Sequence, residues 1–221
     1  MTTMDEGRSA LDRVTVAVKL EFGWRYIRYQ KFEVWFKGYG VACDLKVLVS
    51  RFEEFDDNQR TLSDFGTLVR SFDGHFALIV ANADWTFAAV DRVRSIPLAF
   101  GQGPAGWVID DQAERLRQRL EVTAKSLNSD ATLALAMSGY TIDIATIYNG
   151  LNQLGPGECA LFNNGQIPIR HRYYCYMPWR SDKPEYHPEQ ARKELSERIL
   201  QIIEIWADRY GTSMMMTFTW K

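Results

Sequence analysis

Residues able to do covalent or acid–base chemistry are few and scattered in this chain. Its three cysteines, Cys43, Cys159 and Cys175, are an odd number without C-x-x-C spacing. That opposes a disulfide framework and a cysteine-rich zinc site, and it fits a reducing compartment. Cys159 lies in an apolar run beside Ala160, where a small buried hydrophobe is the ordinary role. Cys43 precedes an expected helix start, which favours the thiolate, but no recognisable base accompanies it. His75, His171 and His187 lie far apart and form no H-E-x-x-H or comparable pair. Gly101-Gln102-Gly103-Pro104-Ala105-Gly106 satisfies G-x-G-x-x-G after an expected strand. A dinucleotide fingerprint, however, needs a following helix whose N-terminal N–H groups face a pyrophosphate, and Trp107-Val108-Ile109 continues as strand. A glycine-rich hairpin loop is the better reading. Residue types and spacing therefore nominate no catalytic, cofactor-binding or metal-binding residue, and no cofactor.

Composition narrows the partner classes. The 221 residues are 46% hydrophobic and 24% charged, the make-up of a globular protein. Lys and Arg number 26 against 28 Asp and Glu, a formal charge of -2, so no basic excess exists to hold nucleic acid or an anionic membrane. Met1 to Leu11 is polar and acidic where a signal peptide is basic and then apolar, and no run of about 18 apolar residues occurs. The expectation is a cytoplasmic protein with no nucleic-acid or membrane partner.

Which elements would position a site follows from periodicity. Val14, Val16, Val18, Leu20 and Phe22 alternate with more polar residues as in a half-buried strand. Phe32, Val34 and Phe36 repeat the pattern and are expected to pair with that strand as antiparallel neighbours. Asp44 can cap a helix through Leu45, Leu48, Val49, Phe52 and Phe55, and Thr61 or Ser63 a second one over Leu62–Val69. Strands are expected at 76–81, 85–90, 96–100 and 107–109, the first two joined by Asn82-Ala83-Asp84. A helix is expected from Gln112 to Leu127, its arginine-rich side (Arg115, Arg117, Arg119) read as solvated surface, and a shorter one over 131–137. Asn163-Asn164-Gly165 marks a hairpin between Glu158–Phe162 and Gln166–Arg170. Pro188 opens a long helix to Tyr210, with Leu195, Ile199, Ile202, Ile203 and Trp206 expected inward. The class is α+β, with antiparallel sheets and a helical tail. The Pro-rich stretch Met177–Pro188 divides a domain at 13–176 from a segment at 177–221.

Two groups of motifs carry a resemblance. Ser71-Phe72-Asp73-Gly74-His75-Phe76-Ala77-Leu78-Ile79-Val80 followed by Ala89-Val90-Asp91-Arg92-Val93-Arg94-Ser95-Ile96-Pro97-Leu98-Ala99-Phe100 is one. Ser138-Gly139-Tyr140 with Thr146-Ile147-Tyr148-Asn149-Gly150-Leu151-Asn152-Gln153-Leu154-Gly155-Pro156-Gly157-Glu158 is the other. In this order, and with the Asn164-Gly165 hairpin and Tyr173-Tyr174, they resemble asparagine synthase-like (glutamine-hydrolysing) proteins over roughly Val34 to Tyr174. The resemblance implies an N-terminal class II glutamine amidotransferase domain of the Ntn-hydrolase fold, two antiparallel sheets stacked between helices. It releases ammonia from glutamine for an ATP-dependent synthetase domain.

Departures from the family pattern shape the functional expectation. The family's nucleophile is an N-terminal cysteine whose own α-amino group is the base; this chain reads Met1-Thr2-Thr3, and about a dozen polar residues separate Thr2 from Val14. Val34-Trp35-Phe36-Lys37-Gly38-Tyr39 stands where the family has its oxyanion-hole strand, without the polar donors. Arg209-Tyr210-Gly211-Thr212-Ser213 approaches the family's pyrophosphate loop, but Met214-Met215-Met216-Thr217-Phe218-Thr219-Trp220-Lys221 follows, which reads as a truncated or frame-shifted end. The expectation is a degenerate amidotransferase-like domain without glutaminase activity, a structural or regulatory partner of a synthetase, followed by the first helix of a synthetase-like domain. The alternatives are an active component working with a separate synthetase and a stand-alone amino-acid or amide-binding module. The C-terminal helix is the expected contact for a synthetase domain or for a second copy.

Overall fold

The computed structural model describes residues 14–40, 45–53, 61–163, 166–177 and 187–210, and the chain divides into two units, residues 1–175 and 176–221. Cys43, Asp44, Phe55, Asn164-Gly165, Thr2 and the Met214–Lys221 end lie outside the described residues.

Ten strands and four α-helices make up the first unit's described part, a mixed α+β architecture. The strands are β1 (Thr15–Val16), β2 (Arg25–Tyr29), β3 (Phe32–Gly40), β4 (Gly74–Ala81), β5 (Trp85–Val90), β6 (Ala99–Gly103), β7 (Gly106–Asp110), β8 (Leu151–Gln153), β9 (Glu158–Asn163) and β10 (Ile169–Arg172). The helices are α1 (Leu45–Glu53), α2 (Leu62–Arg70), α3 (Ala113–Arg119) and α4 (Ser129–Ser138). Six strands form one sheet in the order β10-β9-β5-β4-β3-β2, and four form another in the order β1-β7-β6-β8.

The cores reveal the layering. One face of the large sheet presents Phe32, Val34, Phe36, Phe76, Leu78, Val80, Phe87 and Ala89 to Val49 and Phe52 of α1 and Phe65, Leu68 and Val69 of α2. Its other face presents Ala77, Ile79, Ala88, Val90, Ala160 and Phe162 to Phe100, Trp107 and Ile109 of the small sheet. The far side of the small sheet, through Ala99, Val108 and Leu151, meets Leu116 of α3. Order is thus helices, sheet, sheet, helix. β4, β5 and β9 are covered on both faces, so their sequences are continuous apolar runs where one-sided strands alternate.

Local signals explain most boundaries. The Asp64 carboxylate accepts the Thr61 backbone N–H at 2.8 Å and its hydroxyl at 3.0 Å, fixing the start of α2. Asn82 Oδ1 accepts the N–H groups of Asp84 (2.8 Å) and Trp85 (2.9 Å), closing the β4–β5 turn. Gly101–Gly106 is a hairpin: Gly103 pairs with Gly106 around Pro104-Ala105, and no helix follows it directly.

Several expectations need correction. The Val14–Phe22 stretch holds only the two-residue β1, which runs parallel to β7 in the small sheet; the neighbours of β3 are β2 and β4. Val14, Val16 and Val18 do face the inter-sheet core, because alternation fixes which side is apolar and leaves the neighbouring strand open. Lys19 then leads into a 3-10 turn at Leu20–Phe22 that Gly23 ends in the left-handed region. The strand expected at 96–100 starts at Ala99, beyond Pro97, which has no N–H to donate. The helix expected to reach Leu127 stops at Arg119, followed by Glu121 at φ 54° and a 3-10 turn at Ala124–Ser126. Arg115 is not on a solvated face, as the site below shows.

In the second unit, α5 (Pro188–Tyr210) has the expected extent. Leu195, Ile199 and Ile202, expected inward, are exposed, Ile203 is half-buried, and Leu200 and Ile205 are exposed as well; the Trp206 side chain lies outside the described residues. No helix among the described residues is long and apolar enough to cross a membrane.

Candidate functional site

Among the described residues, the cysteines and histidines weighed above do not come together. Cys159 lies in β9 on the face turned to α1 and α2, fully buried, its thiol donating to the His171 carbonyl at 3.5 Å. Burial, then the nearby Glu158 charge, push the thiol up to about 12, so it is an inert core residue. Cys175 is exposed. The His75 ring lies beside that of Tyr39, tilted against it with centroids 5.0 Å apart. His171 packs against α2, where a Cβ on Gly66 would come within 2.6 Å of its ring. The His187 carbonyl accepts the Ala191 N–H at the start of α5. Among the described residues no group of three His, Cys, Asp or Glu could hold a metal ion.

Asp91, in the resembling motif, is a buried organiser. Its carboxylate accepts N–H groups from Phe76 (3.1 Å), Val93 (2.9 Å) and Ser95 (3.0 Å), and its backbone carbonyl accepts from Gly157. Tyr173 donates its hydroxyl to the Val90 carbonyl. These bonds tie the β5 exit to β4, the Gly157 turn and β10, a framework role.

Chemistry is concentrated instead where β3 and β7 end. Period two places Lys37 on the same inter-sheet face as Trp35. Its ammonium reaches Asp111 Oδ2 at 3.1 Å, and the Trp24 indole N–H donates to the same oxygen at 2.8 Å. Arg115, in the first turn of α3, donates to Asp111 Oδ1 at 2.8 Å and grips Asp110 through Nε at 2.7 Å and through a terminal nitrogen. Two carboxylates are balanced by two cations. Burial holds the Asp110 carboxyl above its ordinary range against the pull of Arg115. Burial also acts upward on Asp111, but hydrogen bonds from Trp24 and Lys37 outweigh it and hold that group low.

Gly38 adds a backbone feature at this end. It pairs with Phe76 in mid-strand yet has φ 130°, and a Cβ there would lie 2.1 Å from the His75 carbonyl oxygen. Only glycine fits this close approach. Sequence reasoning singled out the Val34–Tyr39 strand but missed Trp24, Asp110, Asp111 and Arg115 as one constellation. An acidic pair closing an apolar strand, with an arginine four and five residues later, was the available signal.

No protein-family model matches the chain. Over 107 residues, 47% of the chain, it is 34% identical to glutamine–fructose-6-phosphate aminotransferase (isomerizing) of Mycolicibacterium paratuberculosis, and the match spans 16% of that protein's length. Nearly half of the chain is thus similar in sequence to a glutamine-dependent aminotransferase. Among solved structures, glutamine phosphoribosylpyrophosphate amidotransferase from B. subtilis aligns over 69% of this chain and 32% of its own, at 15% identity and a TM-score of 0.37. A structure of the allosteric regulatory enzyme of purine biosynthesis aligns with the same identity and TM-score, over 31% of its chain.

Proposed function

We propose that residues 13–176 are a glutamine amidotransferase-like domain of an asparagine synthase-like protein, without glutaminase activity, serving as a structural or regulatory partner of an ATP-dependent, amide-forming synthetase. What supports this reading most is the state of the donors at the β3 end. An oxyanion hole works because its donors are aimed at developing charge and left unspent until it forms. Here the Lys37 ammonium, the Trp24 indole N–H and the Arg115 guanidinium are already spent on Asp111, and Arg115 also on Asp110. The thiol of Cys159, on the opposite face of the sheet and raised by burial, supplies no nucleophile to that end. The sequence similarity to a glutamine-dependent aminotransferase supports the amidotransferase lineage; the order of motifs from Ser71 to Glu158 supports the asparagine synthase-like branch. Residues 177–221 form, on this reading, a linker and the first helix of the synthetase-like part, with the exposed apolar residues of α5 as its contact.

Purified full chain incubated with glutamine and followed by a coupled ammonia assay tests the proposal. The expected result is no ammonia above the enzyme-free blank. Saturable, glutamine-dependent release would overturn it.

A further inference from the structure

Which backbone groups of β2 are spent follows from alternation across the six-stranded sheet. The Asn82 N–H on the Trp85 carbonyl and the Asp91 N–H on the Phe76 carbonyl show that the even-numbered residues of β4 bond to β5. Its odd-numbered residues therefore bond to β3, at Glu33, Trp35, Lys37 and Tyr39. That leaves Phe32, Val34 and Phe36 of β3 to bond Tyr29, Ile27 and Arg25 of β2. The N–H and C=O groups of Tyr26 and Arg28 thus point out of the sheet, of which β2 is the last strand, and no described residue bonds them. Such an edge is a template for a further strand. Its side chains carry charge: Arg25, Tyr26, Arg28 and Tyr29 are exposed, and residues 25–31 include three cations and no anion. Glu33, directly across from Arg28, accepts the Tyr26 hydroxyl at 2.9 Å, and no ion pair joins it to Arg28.

We propose that β2 is a docking edge for an extended, acidic segment of a partner polypeptide, which adds to the sheet as an antiparallel strand with an Asp or Glu opposite Arg28. Every pairing within this sheet is antiparallel, and an antiparallel addition exchanges two backbone hydrogen bonds with Arg28 and two with Tyr26. Charge selects the occupant. In the register that uses both residues, a second copy of the chain would set its Tyr26 across from Arg28 and its own Arg28 one diagonal step away on the same face, a like-charge contact. A carboxylate at that place is attracted instead. A nucleic-acid strand would leave the backbone groups unused, and the Tyr26 ring on which a base would stack already lies against Trp35, with centroids 5.2 Å apart. The inference is independent of the proposed function.

Fluorescence anisotropy is the test: a labelled peptide of about seven residues, one glutamate among valines and threonines, is titrated with the full chain. The wild type is expected to saturate with a Kd at or below about 100 μM. The same peptide with lysine in place of glutamate should bind at least about fivefold more weakly, and Arg28→Glu should reverse that order. Arg28 is exposed, so its replacement removes little packing, and circular dichroism checks the fold. A second measurement needs no variant. N-methylation of the peptide's glutamate, or of the residue two positions on, should weaken binding at least about tenfold, while methylation of the residue between them, whose N–H points away from β2, should leave it unchanged. No saturation, equal affinity for the two peptides, or indifference to which amide is methylated would each overturn the proposal. So would tighter binding of an oligothymidylate of about ten nucleotides than of the peptide, or a wild-type dimer in sedimentation velocity that Arg28→Glu alters.

Discussion

Replacing Arg115 by Met should be among the most damaging single changes in the first unit, and its effect should depend on pH. Asp110 is fully buried and takes two hydrogen bonds from the guanidinium, at 2.7 Å through Nε and through a terminal nitrogen. With Arg115 gone, Asp110 keeps the Gln112 N–H at 3.0 Å, while Asp111 keeps Trp24 and Lys37. Leaving a buried charge without its partner costs about 3–5 kcal/mol, a fifth or more of the roughly 5–15 kcal/mol by which a domain is stable. Met retains most of the aliphatic stem, so the loss reports charge more than volume.

The sign of the pH dependence follows from Asp110. Its folded-state pKa is already raised by burial, and Arg115 is the main force pulling it down. A carboxyl raised in the folded state favours folding below its unfolded value and loses that advantage as pH rises through the folded one. Arg115→Met should therefore lose stability as pH rises above the ordinary aspartate value of about 4, with its largest deficit relative to wild type at the high-pH end of the titration. Urea denaturation followed by tryptophan fluorescence at several pH values measures this. Adding Asp110→Asn should recover much of the loss and flatten the pH dependence. A single variant within about 0.5 kcal/mol of wild type at neutral pH, or a deficit independent of pH, would refute a paired, charged Asp110 as the reason for the network.

Two further changes probe the same architecture. Gly38→Ala places a Cβ 2.1 Å from the His75 carbonyl at φ 130°; strand displacement plus backbone strain of about 1–3 kcal/mol should lower the urea midpoint clearly, and an unchanged midpoint would mean that β3 and β4 are not held at this separation. Cys159, with its thiol pushed up to about 12 and its side chain buried, should resist iodoacetamide at pH 8 in the folded protein while exposed Cys175 reacts. Peptide mass spectrometry reads both, and early labelling of Cys159 would contradict its placement in the core.

Much of the fold was legible because it rests on local rules. The β4–β5 hairpin could be placed from two apolar runs around Asn82-Ala83-Asp84, since the asparagine carboxamide closes that turn without help from elsewhere. The start of α2 was equally local, as was the rejection of the Gly101–Gly106 motif as a dinucleotide site, decided by the strand residues behind it. The partner of β1 was not legible. Thr15–Val16 pairs in parallel with Val108–Ile109, more than ninety residues away, and pairing at such a separation leaves no trace in period. β2 was missed as well: its Arg-Tyr-Ile-Arg-Tyr sequence lies at a sheet edge, where exposed polar and aromatic residues blur the apolar signal.

The candidate site divides in the same way. Spacing alone offered no reason to join the cysteines and histidines in one site, because none of them stands at a metal-ligand or nucleophile–base spacing from another. Sequence also determined which residues of the central strands are apolar, since burial on both faces demands an uninterrupted run. Only the tertiary structure decided that Arg115 is held by Asp110 and Asp111 where a solvated helix surface was expected, and that Trp24 and Lys37, from two other segments, close on the same carboxylate. The physical reason is that a charged residue looks alike in sequence whether it faces water or a buried counter-charge. Its surroundings are set by which strands and helices pack together, and that is a property of the folded layers.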